Sequence, residues 1–282
     1  MTAAAAIEVR GLRKAYGGHV AVDGLDLAVS RGEVFALLGP NGAGKTSTVE
    51  ILEGLRPRDG GEVSVLGADP ADAGRDWRAR IGIVLQGTGE FDELRVSEVV
   101  RLFSGYYPKP DDPDAVIERV GLTDKRRALT HTLSGGQKRR LDVALGIIGR
   151  PELLFLDEPT TGFDPQARRE FWDVIRDLAA AGTTVLLTTH YLDEAEALAD
   201  RVGVIAHGRL VAAATPAELG GRAESAVTVS WLGATGLCSE RTQTPTAFIQ
   251  TLAGSLGGEV PGLTVTRPTL EDVYLSMIGE AP

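Results

Sequence analysis

Gly39-Pro40-Asn41-Gly42-Ala43-Gly44-Lys45-Thr46 satisfies every fixed position of a phosphate-binding loop. Its surroundings fit the pattern too. Residues 33–38 are apolar after the first, as in a strand buried on both faces, and 44–55 has helical character until Arg56-Pro57 ends it. Glycines in such a loop let backbone N–H groups close around phosphate oxygens. A helix opening at Gly44 presents its positive end to the same anion. Lys45 can reach β and γ phosphates, and the Thr46 hydroxyl, followed by Ser47, can ligate Mg²⁺. The stretch 39–47 is therefore expected to hold a nucleotide. A glycine-rich turn with a surface lysine would not require the flanking strand and helix.

Outward from this loop, short apolar runs alternate with amphipathic ones. Residues 7–9 and 25–29 read as strands, the second with the alternation of a half-buried antiparallel strand. Further strands are expected at 62–66, 81–85, 153–156, 183–188 and 202–206, and helices at 165–181 and 191–199. Strands alternating with helices indicate an α/β fold on a parallel sheet. From about 87 to 150 the pattern is mostly helical, which predicts an inserted helical subdomain. After Gly220-Gly221, read as a hinge, the composition shifts to a strand at 227–232, a helix at 246–256, a strand at 263–267 and a helix at 270–278. The expected organisation is a nucleotide-binding domain over 1–220 and a small α/β appendage over 221–282.

Leu153-Leu154-Phe155-Leu156-Asp157-Glu158 is a buried strand that ends in two carboxylates. Ligands of a parallel sheet gather at the carboxyl ends of its strands. There Asp157 can hold Mg²⁺ through water, and Glu158 can act as general base on an attacking water. Alone, this pair is an ordinary acidic strand end; with the phosphate loop upstream it reads as catalytic.

Leu133-Ser134-Gly135-Gly136-Gln137 adds a second helix start suited to an anion. The set of motifs resembles the ATP-binding cassette family, a branch of the P-loop NTPases whose signature is Leu-Ser-Gly-Gly-Gln. The resemblance covers roughly residues 7–217. It implies a core with an antiparallel β subdomain and an inserted helical subdomain, and it implies ATP and Mg²⁺ as ligands. It also implies a head-to-tail dimer, in which Ser134, Gly135, Gly136 and Gln137 of one copy cover ATP held by residues 39–47 of the other. Tyr16 matches the aromatic that stacks on adenine. Gln86 matches the glutamine that contacts Mg²⁺ and the lytic water. Asp164, in Thr161-Gly162-Phe163-Asp164-Pro165, matches the aspartate at the dimer interface, though Phe163 stands where leucine is commoner. His190 matches the histidine that touches the γ-phosphate and orients Glu158. His19, His131 and His207 read as surface or loop groups.

Within that family the tail bears on direction of transport. Pro268-Thr269-Leu270-Glu271-Asp272-Val273-Tyr274-Leu275 resembles the closing segment of bacterial drug-export ATPases of the daunorubicin-resistance kind. The segment from Ile83-Val84-Leu85-Gln86 through Phe91-Asp92-Glu93-Leu94-Arg95-Val96 resembles that branch as well. The function implied is the ATPase subunit of an exporter that energises a separate membrane permease from its cytoplasmic face. The permease is expected to dock near 86–107, where Phe91, Phe103, Tyr106 and Tyr107 could anchor it or could be core. An importer ATPase and a non-transport cassette protein are the alternatives.

Composition narrows the choice. The 282 residues carry 29 basic and 39 acidic side chains, a net charge of −10, which argues against a general nucleic-acid binder. Cys238, the single cysteine, excludes a disulfide framework and a cysteine-rich zinc site. No apolar run approaches the ~18 residues of a spanning helix, so a separate chain is expected to cross the membrane. Arginine far outnumbers lysine, which fits a GC-rich bacterial source.

Overall fold

β1 (Ala5–Tyr16) turns at Gly17-Gly18 into β2 (His19–Ser30), its antiparallel partner. The pairs Ile7 with Val29, Val9 with Leu27 and Leu12 with Leu25 put one face of this ribbon in the core. In the computed structural model, which describes residues 5–84, 91–233 and 236–279, the chain continues through β3 (Val34–Leu38), α1 (Lys45–Leu52), β4 (Gly60–Val65), a single turn α2 (Arg75–Arg78) and β5 (Ile81–Val84). Then come α3 (Val96–Ser104), α4 (Pro113–Arg119), α5 (Gly135–Ile147), β6 (Leu153–Asp157), α6 (Pro165–Ala180), β7 (Thr184–Thr188), α7 (Leu192–Leu198), β8 (Arg201–Ala206) and β9 (Arg209–Ala214).

Two sheets organise these elements. β2-β1-β4 is antiparallel, and the six-stranded sheet runs β5-β6-β7-β3-β8-β9 with its first five strands parallel. One core joins the sheets: Ile7, Leu12, Leu25 and Val29 pack with Phe35, Phe155 and Leu186. Phe35 and Phe155 are fully buried, worth roughly 1.5–3 kcal/mol each in apolar transfer. Close approach of α5 to β5 depends on two glycines, since a Cβ on Gly82 would lie 2.2 Å from the Gly146 carbonyl oxygen.

The helices follow local rules. Asp164 caps α6 by accepting from the Gln166 and Ala167 amides at 2.9 and 2.8 Å, and Pro165 opens the helix. Phe171, Ile175 and Leu178 then fall on its buried face. Phe163, at the position where leucine is commoner, sits edge-on to Phe171 at 5.6 Å.

The contacts divide the chain into two units, Met1–Ala213 and Ala214–Pro282. The second unit holds β10 (Val227–Gly233), β11 (Gly236–Thr242), α8 (Pro245–Leu256), β12 (Thr264–Thr266) and α9 (Leu270–Gly279), with its sheet ordered β11-β10-β12. Trp231 of β10 packs on Phe248 of α8, ring centres 5.7 Å apart. Gly220 and Gly221, expected as a hinge, lie instead in a 3-10 turn, Leu219–Glu224, inside this unit. Both have positive φ, and a Cβ on Gly220 would fall 2.5 Å from Val273 of α9. The two glycines kink the chain within this segment, and Gly220 lies against α9.

Candidate functional site

Thr188 of β7 stands opposite both Leu37 of β3 and Asp157 of β6. The three strands therefore finish in one row, and their following loops converge at the edge where a parallel sheet gathers its ligands. Residues 39–44 follow β3, Glu158 follows β6 and His190 follows β7.

The first loop is shaped by space. Gly42 and Gly44 have φ of +80° and +102°. A Cβ on Gly44 would stand 2.3 Å from the Ala21 carbonyl oxygen, and one on Gly39 would stand 2.5 Å from that of Ile205. Both obstacles are backbone, so larger residues cannot be accommodated by a rotamer change. Lys45 is buried, and its Nζ donates to the carbonyls of Gly39 at 2.7 Å and Pro40 at 3.1 Å. Burial holds this ammonium below its ordinary pKa, and the charges of Glu158 and Asp157 oppose the shift. Tyr16, 38% exposed, ends β1 with its Oη 3.1 Å from Ser47 Oγ.

The second loop carries the carboxylates. Thr188 Oγ1 donates to Asp157 Oδ1. Arg139 of α5 donates to the carbonyls of Asp157 at 2.6 Å and Pro159 at 3.1 Å, which fixes the strand end from behind. Glu158 has φ +43°, a left-handed conformation uncommon outside glycine and concentrated at functional sites. Its amide donates to the Thr188 carbonyl at 3.1 Å, and its Oε1 lies 3.2 Å from His190 Nδ1. His190 in turn packs on Tyr191, ring centres 4.1 Å apart. Behind α1, burial pushes the Glu53 carboxyl up to about 8, with Asp157 and Glu50 adding to the shift.

A cavity of about 530 Å³ opens between the loops, within the usual range for a ligand site. Asn41, Gly42, Gly44, Lys45, Thr46 and Ser47 form one wall, and Asp157 and Glu158 the other. His19 and Ala21 of β2 complete it. His19 was not expected here. Its signal was the pairing of His19 with Tyr16 across the β1–β2 turn, which carries the imidazole to the same rim.

The expected signature residues lie elsewhere. Ser134 caps α5, its Oγ accepting from the Gln137 amide at 3.3 Å while Gln137 Oε1 accepts from the Ser134 amide at 3.1 Å. Gly135 opens that helix. A Cβ on Gly136 would meet Ala167 at 3.7 Å, so the start of α5 lies beside the start of α6 that Asp164 caps. The cavity lining includes none of Ser134, Gly135, Gly136, Gln137 or Asp164. Gln86 lies outside the described residues.

The residues fit a magnesium nucleotide. Among the described residues no three His, Cys, Asp or Glu side chains gather as a metal cage. A hydroxyl such as Thr46 and a carboxylate such as Asp157, completed by phosphate oxygens and water, is the donor set Mg²⁺ takes at phosphate sites. Lys45 and the start of α1 offer the positive field that phosphates would require.

Residues 22–161 match the family model described as ABC transporter. The daunorubicin resistance ATP-binding protein DrrA3 of Streptomyces coeruleorubidus is 39% identical over 98% of this chain and 96% of its own length. The daunorubicin/doxorubicin resistance ATP-binding protein DrrA of Streptomyces peucetius is 48% identical over 76% of this chain and 66% of its own. Among solved structures, cbiO1 from Clostridium perfringens, part of the ABC transporter complex cbiONQ, superposes with TM-score 0.69 at 30% identity, covering 76% of this chain and 90% of that one. With a match across nearly its whole length, this chain belongs to the ABC transporter family, as one of its ATP-hydrolysing cassettes.

Proposed function

We propose that the chain is the ATPase of a drug exporter and drives a separate membrane permease. The observation that carries the catalytic part is the convergence of Lys45, Glu158 and His190 at one sheet edge. In this reading, the amides of residues 39–46 and Lys45 gather the β and γ phosphates, and Tyr16 stacks on adenine. Thr46, Asp157 and Gln86 would hold Mg²⁺, which would supply neutralisation of phosphate charge. Glu158 takes the proton of the attacking water as its oxygen bonds to the γ-phosphorus and the bond to the ADP oxygen breaks. His190, within hydrogen-bond reach, holds the Glu158 carboxylate toward that water and touches the γ-phosphate.

The cavity draws no lining from Ser134–Gln137 of its own chain. That supports closure by a second copy, whose capped α5 would present Ser134, Gly135, Gly136 and Gln137 to the γ-phosphate, with Asp164 at the interface. Among the described residues no helix is long and apolar enough to cross a membrane; in this reading a permease in another chain does the crossing and this chain works at its cytoplasmic face. Phe91, Phe103 and Tyr106 form a chain of edge-on rings at 5.5 and 5.8 Å. The exposed end of that chain, Tyr106, is the anchor we assign to the permease; Tyr107 packs on Gly149 instead.

Export of a drug is drawn from the daunorubicin and doxorubicin resistance for which the two Streptomyces relatives are named. Inside-out vesicles carrying this chain with the membrane protein encoded beside it should accumulate doxorubicin when given MgATP, and Glu158→Gln should abolish the accumulation. Accumulation without ATP, or ATP-driven loss from the vesicle lumen, would overturn the exporter assignment.

A further inference from the structure

The second unit is acidic, yet its basic residues converge. Residues 214–282 contain three arginines, Arg222, Arg241 and Arg267, and no lysine or histidine. Arg241 and Arg267 line one cavity of about 540 Å³ together with Thr228, Thr266 and Asp272. Arg222 donates to the carbonyl of Pro268, another member of that lining, at 2.8 Å. Strand register explains part of this. Thr228 of β10 pairs with Arg241 of β11 on one side and with Thr266 of β12 on the other, so the three side chains form a row across one sheet face.

The polar groups in the row are uncommitted. The Arg241 guanidinium and the Thr228 and Thr266 hydroxyls make no hydrogen bond or ion pair among the described residues. Arg267 spends one N–H on the Ala223 carbonyl at 3.0 Å. Asp272, the carboxylate in the wall, is already engaged: its Oδ2 accepts from the Thr269 amide at 2.8 Å and the Thr269 hydroxyl at 2.7 Å, capping α9. The lining thus sets two arginines against one carboxylate, a net positive charge, with hydroxyl donors beside them and Val273, Pro268 and Ala226 as its apolar members.

We propose that this cavity is a binding site for a small organic anion, a carboxylate or phosphate head carried on a compact apolar body. A guanidinium forks onto such a head with two N–H groups, the hydroxyls fill its remaining lone pairs, and the apolar wall covers the body. The site is separate from the nucleotide cavity, with which its lining shares no residue.

The test uses the full chain with its nucleotide site saturated by ADP. Calorimetry with 2-naphthoate should show one site per chain. The neutral 2-naphthamide should bind at least about tenfold more weakly, because it lacks the charge the arginines recognise. Arg241→Gln with Arg267→Gln should weaken naphthoate by at least about tenfold without changing ADP affinity. Thr228→Val with Thr266→Val, which keeps the charge, should weaken it by a smaller factor and serves if the first pair fails to fold. Absence of naphthoate binding, equal binding of the amide, or affinity unchanged in the folded variants would each overturn the proposal.

Discussion

His190 Nδ1 stands 3.2 Å from Glu158 Oε1, each side chain extending from the end of one of two adjacent parallel strands. Glu158 makes this contact from a left-handed backbone, φ +43°, directly after β6. A base held in this way needs no reorganisation when a water enters beside it.

His190→Ala should therefore leave Glu158 in place, still within reach of the Thr161 hydroxyl at 3.4 Å, but without its imidazole partner. The turnover number should fall by roughly 10²–10⁴, the range for loss of a positioned acid–base partner, with little change in nucleotide affinity. Phosphate-release kinetics beside ADP binding check this. A turnover number equal to wild type would remove His190 from the mechanism.

Gly44→Ala tests the phosphate loop by space alone. The added methyl would meet the Ala21 carbonyl oxygen at 2.3 Å, on a residue with φ +102°. The loop must shift, and its amides lose their aim at the phosphates. Nucleotide affinity should drop by at least about tenfold while the thermal midpoint moves by only a few degrees. Unchanged affinity would show that the loop adapts.

Most of this site was legible in the sequence, for a physical reason. Phosphate loops, strand-end carboxylates and capped helix starts are local devices, so Gly44, Asp157 and Ser134 declare themselves from their neighbours. What stayed hidden depends on pairing at a distance. β11 carries little apolar signal and is mostly exposed, while β9 is apolar in sequence but short and half-exposed, without the buried run of its neighbours. His19 reads as a turn residue until the β1–β2 register carries it to the cavity. Gly220-Gly221 reads as a hinge because the sequence does not reveal that Val273 packs against it. Glu53 is one more carboxylate in the sequence and becomes distinctive only when buried.

That burial predicts a pH effect. Glu53 keeps its proton up to about pH 8 in the folded chain, against an ordinary value of 4.5. Between those values the folded state binds more protons than the unfolded one, so the group's stabilising contribution is complete below the lower value and is lost as pH rises to the higher. The slope reaches at most about 1.4 kcal/mol per pH unit. Glu53→Gln has no proton to lose. Urea unfolding from about pH 5 to about pH 8 should show the variant losing less stability than wild type as pH rises. Parallel curves would mean that Glu53 does not carry the shift.

Gel filtration of Glu158→Gln with MgATP asks whether two copies enclose ATP and reopen by hydrolysing it, as proposed above. The substitution keeps side-chain shape and removes the base, while Lys45, Thr46, Asp157 and the start of α5 remain. A rate lowered by roughly 10²–10⁴ should let the closed state outlast the column. The account predicts a dimer that elutes with ATP still bound, lost again when Ser134→Arg is added. A variant that binds ATP and elutes as a monomer at every concentration would contradict it.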